Sequence, residues 1–305
     1  MKHVCQSKSR FAKLFMVCLL SCIVSVAAAL PVFALEQPDQ LLIGIEPEHN
    51  IFDQMERHRI LADYLSNQLG VKVKLTIMSR YGEVIKRFKT LKLDGAFLSS
   101  YAATMSIKEL QLEPLVNPVN LQGESTSQGY IFVRKDSNIR SINDMRGRNI
   151  VFVDPATMEG YLFALAFFQQ HGVKDFNQFF NRYYFSGSHA STIFAVLDGR
   201  ADIGSAKSTV YQQLINNDPS IGQELEILAQ SPQIPEVTLC IRSEIPQELR
   251  EKLTSVLLQM DKTPEGKKVL KQFKALRFAK SRQEDFFIIE KMAQETLGSL
   301  TVHGK

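Results

Sequence analysis

Hydrophobic positions in the first part of the chain alternate between strand and helix spacing. Short apolar runs predict strands at 41–45, 71–77 and 95–98, the middle one with apolar and polar residues in alternation. Between them, apolar residues at helical spacing predict helices over 61–69 and 84–91. This β-α-β-α-β order predicts a parallel sheet that is flanked by helices.

The alternation continues to the C-terminus. Further strands are predicted at 130–133, 150–153, 183–185, 201–204, 225–228 and 237–241, with helices at about 158–170 and 190–197 between them. After the strand at 150–153, Asp154 and Pro155 predict a helix start with Asp154 as its N-cap. Three helices are predicted in the tail, and they start at Pro246, at Thr263-Pro264 and at a capping box over 281–284.

Two α/β units without a linker between them predict a two-lobed α/β protein. The chain is expected to cross between the lobes near 130–133 and 237–241, so that residues 35–132 and 236–305 form lobe 1 and residues 133–235 form lobe 2. Each lobe is expected to hold a mostly parallel sheet. Ligands of open α/β sheets bind beyond the carboxyl ends of the strands, so the expected site is a cleft between the lobes.

The first 34 residues have the pattern of an export signal. A basic segment ends at Lys13, residues 14–33 carry no charge, and small residues offer cleavage after Ala29 or Ala34. An uncleaved membrane anchor is the alternative, because about 20 apolar residues can span a bilayer. Cys240 is the only cysteine after this segment, which excludes an intramolecular disulfide in the mature chain and favours the bacterial periplasm.

The net charge of +4 comes from the same segment. It holds Lys2, Lys8, Arg10 and Lys13 and no acidic residue, which leaves 36 − 4 = 32 basic residues against 32 acidic ones in the remainder. With no basic stripe, we expect no nucleic-acid partner.

Signatures of catalysis and of metal binding are missing from the sequence. It contains no G-x-S-x-G elbow, no G-x-x-x-x-G-K-[ST] loop and no G-x-G-x-x-G after a strand. Ser188, His189 and Asp202 include the residue types of a catalytic triad, but neighbouring residues in a chain rarely face each other as nucleophile and base. The histidines lack metal-ligand spacing. We therefore expect neither an enzyme nor a cofactor.

Polar loops at the ends of predicted strands are the candidates for binding a small solute. The loops of the second unit supply Thr157, Met158, Glu159, Ser188, His189 and Ser205, and those of the first supply Ser100, Tyr101 and the segment 47–49. Hydroxyls, a histidine and an aromatic ring give a small polar ligand directional hydrogen bonds and a stacking wall. Structural roles are the alternatives: Ser188 as a helix cap, His189 facing solvent and Tyr101 in the core.

Several motifs keep their order and spacing over more than a hundred residues. They are 136–139 leading into 141–148, 152–155 with 160–161, 187–189, 201–204 and 233–235. On these motifs the chain, from 41 to about 272, resembles the phosphate/phosphite/phosphonate-binding family of periplasmic ABC-transporter solute receptors. The resemblance implies a two-lobed type II binding fold that closes on its ligand by a hinge. It also implies delivery of the ligand to a membrane permease, without catalysis.

The resemblance also bears on individual residues. In this family the loop after Asp-Pro usually reads Ser-Thr-Ser before Gly and grips the phosphonate, and the histidine of Gly-Ser-His usually contacts the same oxyanion, which implies a contact by His189. Here the loop reads Thr157-Met158-Glu159, so that only Thr157 keeps a hydroxyl. Glu159 either faces solvent and complements the helix dipole or points into the cleft, where it would disfavour a doubly charged ligand.

Two functions fit these expectations. The chain is expected to be a monomeric receptor that carries a phosphonate-like, phosphate-like or related small polar solute to an ABC permease. The alternative is a periplasmic ligand-sensing subunit for a membrane sensor kinase or cyclase. The cleft is expected to use Thr157, Met158, Glu159, Ser188, His189, Ser205, Ser100 and Tyr101 in either function.

Overall fold

The computed structural model describes residues 38–46, 51–78 and 83–297, all of which fall within one structural unit, 38–305. The predicted export signal and the loop 47–49 lie outside the described residues. None of the described helices is long and apolar enough to cross a membrane.

The first of two main sheets contains six strands in the order β13-β4-β12-β3-β1-β2. β1 pairs in parallel with β2 and β3, whereas the pairs β3–β12, β12–β4 and β4–β13 are antiparallel. The strands are β1 (Gln40–Ile45), β2 (Lys72–Ile77), β3 (Gly95–Leu98), β4 (Leu112–Val119), β12 (Thr238–Arg242) and β13 (Arg277–Lys280).

The second main sheet contains five strands in the order β10-β6-β9-β7-β8. β7 pairs in parallel with β8 and β9, and β6 is antiparallel to β9 and β10. The strands are β6 (Gly129–Arg134), β7 (Asn149–Phe152), β8 (Arg182–Phe185), β9 (Ile203–Lys207) and β10 (Leu225–Gln230). Both sheets are therefore mixed rather than mostly parallel.

Two short strands connect the main sheets. β5 (Thr126–Ser127) leads into the five-stranded sheet and pairs antiparallel with β11 (Ile234–Pro235), which leads out of it. The longer strands β6 and β12, near which the crossings were expected, each lie wholly within one main sheet. The chain therefore passes between the sheets a few residues earlier than expected, at this two-stranded ribbon.

Helices cover the faces of both main sheets. Leu61 and Leu65 of the longest helix pack with Leu41 and Ile43 of β1 in one buried cluster, as the apolar spacing predicts. The helices are α1 (Ile51–Leu69), α2 (Val84–Leu91), α3 (Ser100–Leu110), α4 (Phe163–Gln170), α5 (Phe176–Phe179), α6 (His189–Leu197), α7 (Ser208–Asn217), α8 (Ser220–Glu224), α9 (Gln247–Gln259), α10 (Pro264–Phe273) and α11 (Phe287–Leu297). Short 3-10 turns cover Lys135–Ser137, Ile142–Met145, Met260–Lys262 and Gln283–Phe286, and a π-helical turn covers Met158–Leu162.

Two predicted boundaries differ from the structure. The strand predicted at 201–204 runs instead over Ile203–Lys207, so that Ser205 lies inside a strand and not in a loop. The capping box expected at 281–284 lies one residue later, where the Asp285 carboxylate accepts the Arg282 backbone N–H at 2.8 Å. The strand extends to Lys207 because its residues pair with β6 as far as Gly129.

Candidate ligand-binding site

The turn that follows β7 positions Glu159. The Asp154 carboxylate accepts the Ala156 N–H at 2.8 Å, and the backbone carbonyl of Asp154 accepts the Thr157 hydroxyl at 2.7 Å. The helix then begins at Met158–Leu162 as a π turn, in which the Leu162 N–H donates to the Thr157 carbonyl at 3.1 Å. The prediction of Asp154 as the helix N-cap is wrong, because its carboxylate closes a turn before the helix starts.

Two glycines allow this turn to lie close to the sheet. A Cβ on Gly160 would overlap the Val153 side chain. A Cβ on Gly129, in the neighbouring β6, would lie 2.9 Å from the carbonyl oxygen of Glu159. The turn is therefore fixed by close backbone contact on both sides, and π turns of this kind are frequent at functional sites.

The Glu159 carboxylate is buried between groups from both parts of the fold. Its side chain is 1% exposed, which excludes the alternative of a solvent-facing glutamate. Oε2 accepts the hydroxyl of Ser100, which follows β3, at 3.1 Å. Oε1 accepts the hydroxyl of Ser127 at 2.8 Å and lies 3.6 Å from Lys207 Nζ. Hydroxyls and a cation thus surround the carboxylate much as they would surround a bound oxyanion.

Lys207 links Glu159 to a second carboxylate. Its side chain is 1% exposed, and Nζ lies 3.1 Å from Glu236 Oε1. The Thr209 hydroxyl donates to Glu236 Oε2 at 3.4 Å. A buried ammonium needs paired charges to offset the loss of its hydration, and here two carboxylates supply them.

His189 forms a hydrogen bond with the last residue of β9. It is 1% exposed as the first residue of α6, which excludes the alternative that it faces solvent. Its Nδ1 accepts the backbone N–H of Lys207 at 3.0 Å, which places the proton of the neutral ring on Nε2. The neighbouring Ser188 caps α6, where its hydroxyl accepts the Ser191 N–H at 3.1 Å.

The remaining predicted site residues have varied surroundings. The Ser205 hydroxyl donates to the Glu159 carbonyl at 3.1 Å, and Thr157 is buried in the turn described above. Met158 is buried in the apolar core, and the half-buried Tyr101 packs against the same core, where burial raises the pKa of its hydroxyl. Met158 therefore faces the core and not the polar cluster.

A cavity of about 400 Å³, lined by both polar and apolar side chains, lies beside the Glu159–Lys207–Glu236 cluster. It is bounded by the start of α1, the end of α10, the two connecting segments and one face of α7. None of the eight predicted side chains is among the described residues that line it. Glu236 belongs both to the cavity wall and to the charged cluster, and so it connects the two.

His58 contributes a neutral ring to the cavity wall. Burial, opposed by a hydrogen bond to the Gln54 carbonyl and assisted by the nearby charge of Arg57, lowers the pKa of His58 to about 4. Its Nδ1 lies 2.8 Å from that carbonyl, so Nδ1 carries the proton and Nε2 is an acceptor. The ring packs edge-on against Phe97 and Phe273 with centroids 5.0 and 5.1 Å apart.

Sequence reasoning did not select Ser127, Lys207, Glu236, His58 or Glu46, the last of which also lines the cavity. A signal for one of them was available: in a strand, alternate residues share a face, so Lys207 points the same way as Ser205. The other four contact the site from elements whose arrangement depends on the tertiary fold.

Comparison with known proteins agrees with this architecture. The family model described as "ABC transporter, phosphonate, periplasmic substrate-binding protein" matches residues 43–286. A probable ABC transporter phosphite binding protein of Prochlorococcus marinus is 25% identical over 87% of this chain and 92% of its own length. The phosphonates-binding periplasmic protein of Escherichia coli is 25% identical over 79% of this chain and 72% of its own.

Solved structures show the same fold. A binding-protein component of an ABC phosphonate transporter from Pseudomonas aeruginosa superposes with a TM-score of 0.75 at 22% identity, over 88% of this chain and 91% of that one. PhnD1 from Prochlorococcus marinus, in complex with methylphosphonate, gives 0.74 at 23% identity, over 87% and 100%. The predicted type II fold and the predicted family are confirmed. Since the family model covers most of the chain, this protein belongs to the phosphonate-type periplasmic substrate-binding proteins of ABC transporters.

Proposed function

We propose that this protein captures a small polar solute in the periplasm and hands it unchanged to the permease of an ABC importer. The observation that supports this most directly is the meeting of Ser100, from one side of the fold, with Lys207, from the other, on the carboxylate of Glu159. The cavity lies beside that meeting point. A cleft of this size between two sheets suits a small ligand.

The named relatives bind phosphite, phosphonates or methylphosphonate, and such oxyanions are the first ligands to consider. The sequence resemblance implies that an oxyanion would contact the loop that reads Thr157-Met158-Glu159 here. In this chain the Glu159 carboxylate already accepts the hydroxyls of Ser100 and Ser127. An internal carboxylate therefore takes the part of the oxyanion, and the ligand is a solute that leaves Glu159 in place.

The charge of Glu159 determines how much the binding of an anion is weakened. Two unit charges of the same sign about 4 Å apart repel by about 4 kcal/mol at an effective dielectric constant near 20. That repulsion weakens binding of an anion roughly a thousandfold. Phosphate, phosphite and methylphosphonate are therefore expected to bind this protein weakly.

Calorimetry tests this expectation with phosphate, phosphite, methylphosphonate and 2-aminoethylphosphonate. Glu159→Ser restores the residue type usual in the family, and Glu159→Gln is the matched control that removes the charge but keeps the size. Both variants should bind the three simple anions at least tenfold more tightly than the wild type, and the serine variant more so. Tight wild-type binding of methylphosphonate that neither substitution changes would refute the displacement of the anion.

Closure of the cleft is a separate part of the proposal. We expect a monomer in which the lobe that holds the six-stranded sheet and the lobe that holds the five-stranded sheet approach each other on ligand binding, so that the radius of gyration falls. Small-angle scattering with and without the ligand measures this change, and light scattering gives the mass. An unchanged scattering profile at saturating ligand contradicts a closing receptor. Appearance of a new product from the bound ligand contradicts a purely binding role.

A further inference from the structure

The inner wall of the cavity is formed by hydrogen-bond acceptors. Glu46, at the end of β1, is 2% exposed, and its Oε2 accepts the Ser99 N–H at 2.7 Å. His58 presents the deprotonated Nε2 of a neutral ring, to which the described residues make no hydrogen bond. Glu236 is the third acceptor, with a side chain 12% exposed. All three residues line the same cavity.

The cations that line the cavity lie nearer its rim. Lys274 is exposed and Arg57 is partly exposed, whereas Glu46 is buried. Among the described residues, the wall also carries the carboxylates of Glu46, Glu124 and Glu236, of which Glu124 is exposed and lies with the cations at the rim. Behind the wall, the charges of Glu159 and Lys207 cancel. The buried part of the cavity is therefore acidic, and its cationic part is in contact with water.

Glu236 has room for another donor. A carboxylate accepts about four hydrogen bonds, and Glu236 receives one from Lys207 and one from Thr209. Lys207 also pairs with Glu159, so two buried carboxylates share a single ammonium group. A second cation at Glu236 would complete the charge balance of the cluster.

Aromatic rings lie next to the acceptors. Phe97 and Phe273 line the cavity with centroids 6.3 Å apart, and both contact His58. Aromatic faces stabilise alkylammonium groups and the methylene groups that carry them. On the opposite wall, α7 presents the amides of Gln212, Gln213, Asn216 and Asn217, which can bind the polar remainder of a ligand.

We propose that this cavity binds a primary or secondary amine in its charged form, with the ammonium group donating to Glu236 in a wall that also holds Glu46 and His58. The inference rests on the proposed role as a solute receptor and names the class of solute. It differs from the recognition of an oxyanion, because the internal carboxylate of Glu159 replaces the anionic group and leaves the cation as the feature that is recognised.

Matched small probes test the class of ligand. Calorimetry compares 4-aminobutan-1-ol with butane-1,4-diol, which has the same length without the charge, and with 4-hydroxybutanoate, which carries the opposite charge. The amine should bind at least tenfold more tightly than the diol, and the anion should bind most weakly. Equal binding of amine and diol would point to a neutral polyol site and overturn the inference, as would failure of the amine to bind.

Variants locate the contact. Glu236→Gln should weaken binding of 4-aminobutan-1-ol roughly tenfold to a hundredfold, the usual effect of losing a hydrogen bond to a charged group. Glu46→Gln is the second variant, in case the first does not fold, and it should act in the same direction. Glu251→Gln, which removes an exposed carboxylate outside the cavity, is the matched control. Unchanged binding in both cavity variants overturns the assignment.

The result also separates this inference from the proposed function. If the diol or the anion binds and reduces the radius of gyration while the amine does not, the protein is a solute receptor of another class. If the amine binds without any closure, the cavity assignment stands and the closing receptor fails.

Discussion

Removing the ammonium group of Lys207 is the strongest test of how the site is held together. Lys207→Met keeps most of the apolar stem and leaves the carboxylates of Glu159 and Glu236 without the cation that lies 3.6 and 3.1 Å from them. Breaking a buried pair by removing one partner costs about 3–5 kcal/mol, because an uncompensated charge stays buried. For a domain of this size that free-energy loss lowers the melting temperature by roughly 6–10 °C.

Thermal and urea denaturation at neutral pH measure the change. Lys108→Met is the matched control, since Lys108 forms an exposed pair with Glu290 at 2.6 Å and such pairs contribute under about 1 kcal/mol. Adding Glu159→Gln to Lys207→Met should recover part of the lost stability, because it removes one of the two unpaired charges. If Lys207→Met costs no more than Lys108→Met, the ammonium does not stabilise the cluster and the reasoning fails.

Three further predictions follow from single contacts. Gly129→Ala places a methyl group against the turn that holds Glu159 and should cost about 1–3 kcal/mol of unfolding free energy, measured by urea denaturation; an unchanged midpoint would show that the turn can shift freely. The pKa of His58 is about 4 in the folded state against 6.5 in the unfolded state, so the unfolded state binds more protons between these pH values. The free energy of unfolding therefore falls by up to about 3 kcal/mol as the pH drops from 6.5 to 4. His58→Gln should remove this pH dependence in melting curves taken across that range. Thr263 accepts the Gly266 N–H at 3.0 Å as the N-cap of α10, so Thr263→Ala should cost about 1 kcal/mol, and a loss near zero in urea denaturation would contradict the cap.

Elements with regular hydrophobic spacing were predictable from the sequence. The alternation over 71–77 became β2, and the cap at Thr263 became the start of α10. β4 (Leu112–Val119) was not predicted, because Pro114 and Pro118 interrupt a pattern that otherwise favours a strand. The fold tolerates them between β12 and β13, with a register shift in the β12 pairing next to Pro114. Tertiary pairing thus overrides a local signal that argues against a strand.

The predicted ligand contacts stay a prediction, and none of the eight predicted side chains lines the cavity beside the charged cluster. The loops that follow β3 and β7 were predicted to bind a ligand, and the structure shows that they contact each other through Ser100 and Glu159. The charged partner of Glu159 is Lys207, which lies 48 residues later in the chain. A lysine at the end of an apolar strand has the same local sequence pattern whether its side chain faces water or a carboxylate. Only the packing of α6 on β9, where His189 binds the Lys207 backbone, fixes which face is buried.

The arrangement of these groups explains why the loss of an anion site favours a cation site nearby. A free oxyanion would have to gain its affinity from the hydroxyls of Ser100 and Ser127, but both already donate to Glu159. Displacing that carboxylate would leave it buried without its donors and would separate it from Lys207, at a cost of several kcal/mol. A ligand that leaves the cluster intact meets no such cost, and the nearest cluster group that lines the cavity is Glu236. Recognition therefore moves from the hydroxyls to the acceptors of the cavity wall, where a positive charge is favoured and a negative one is repelled.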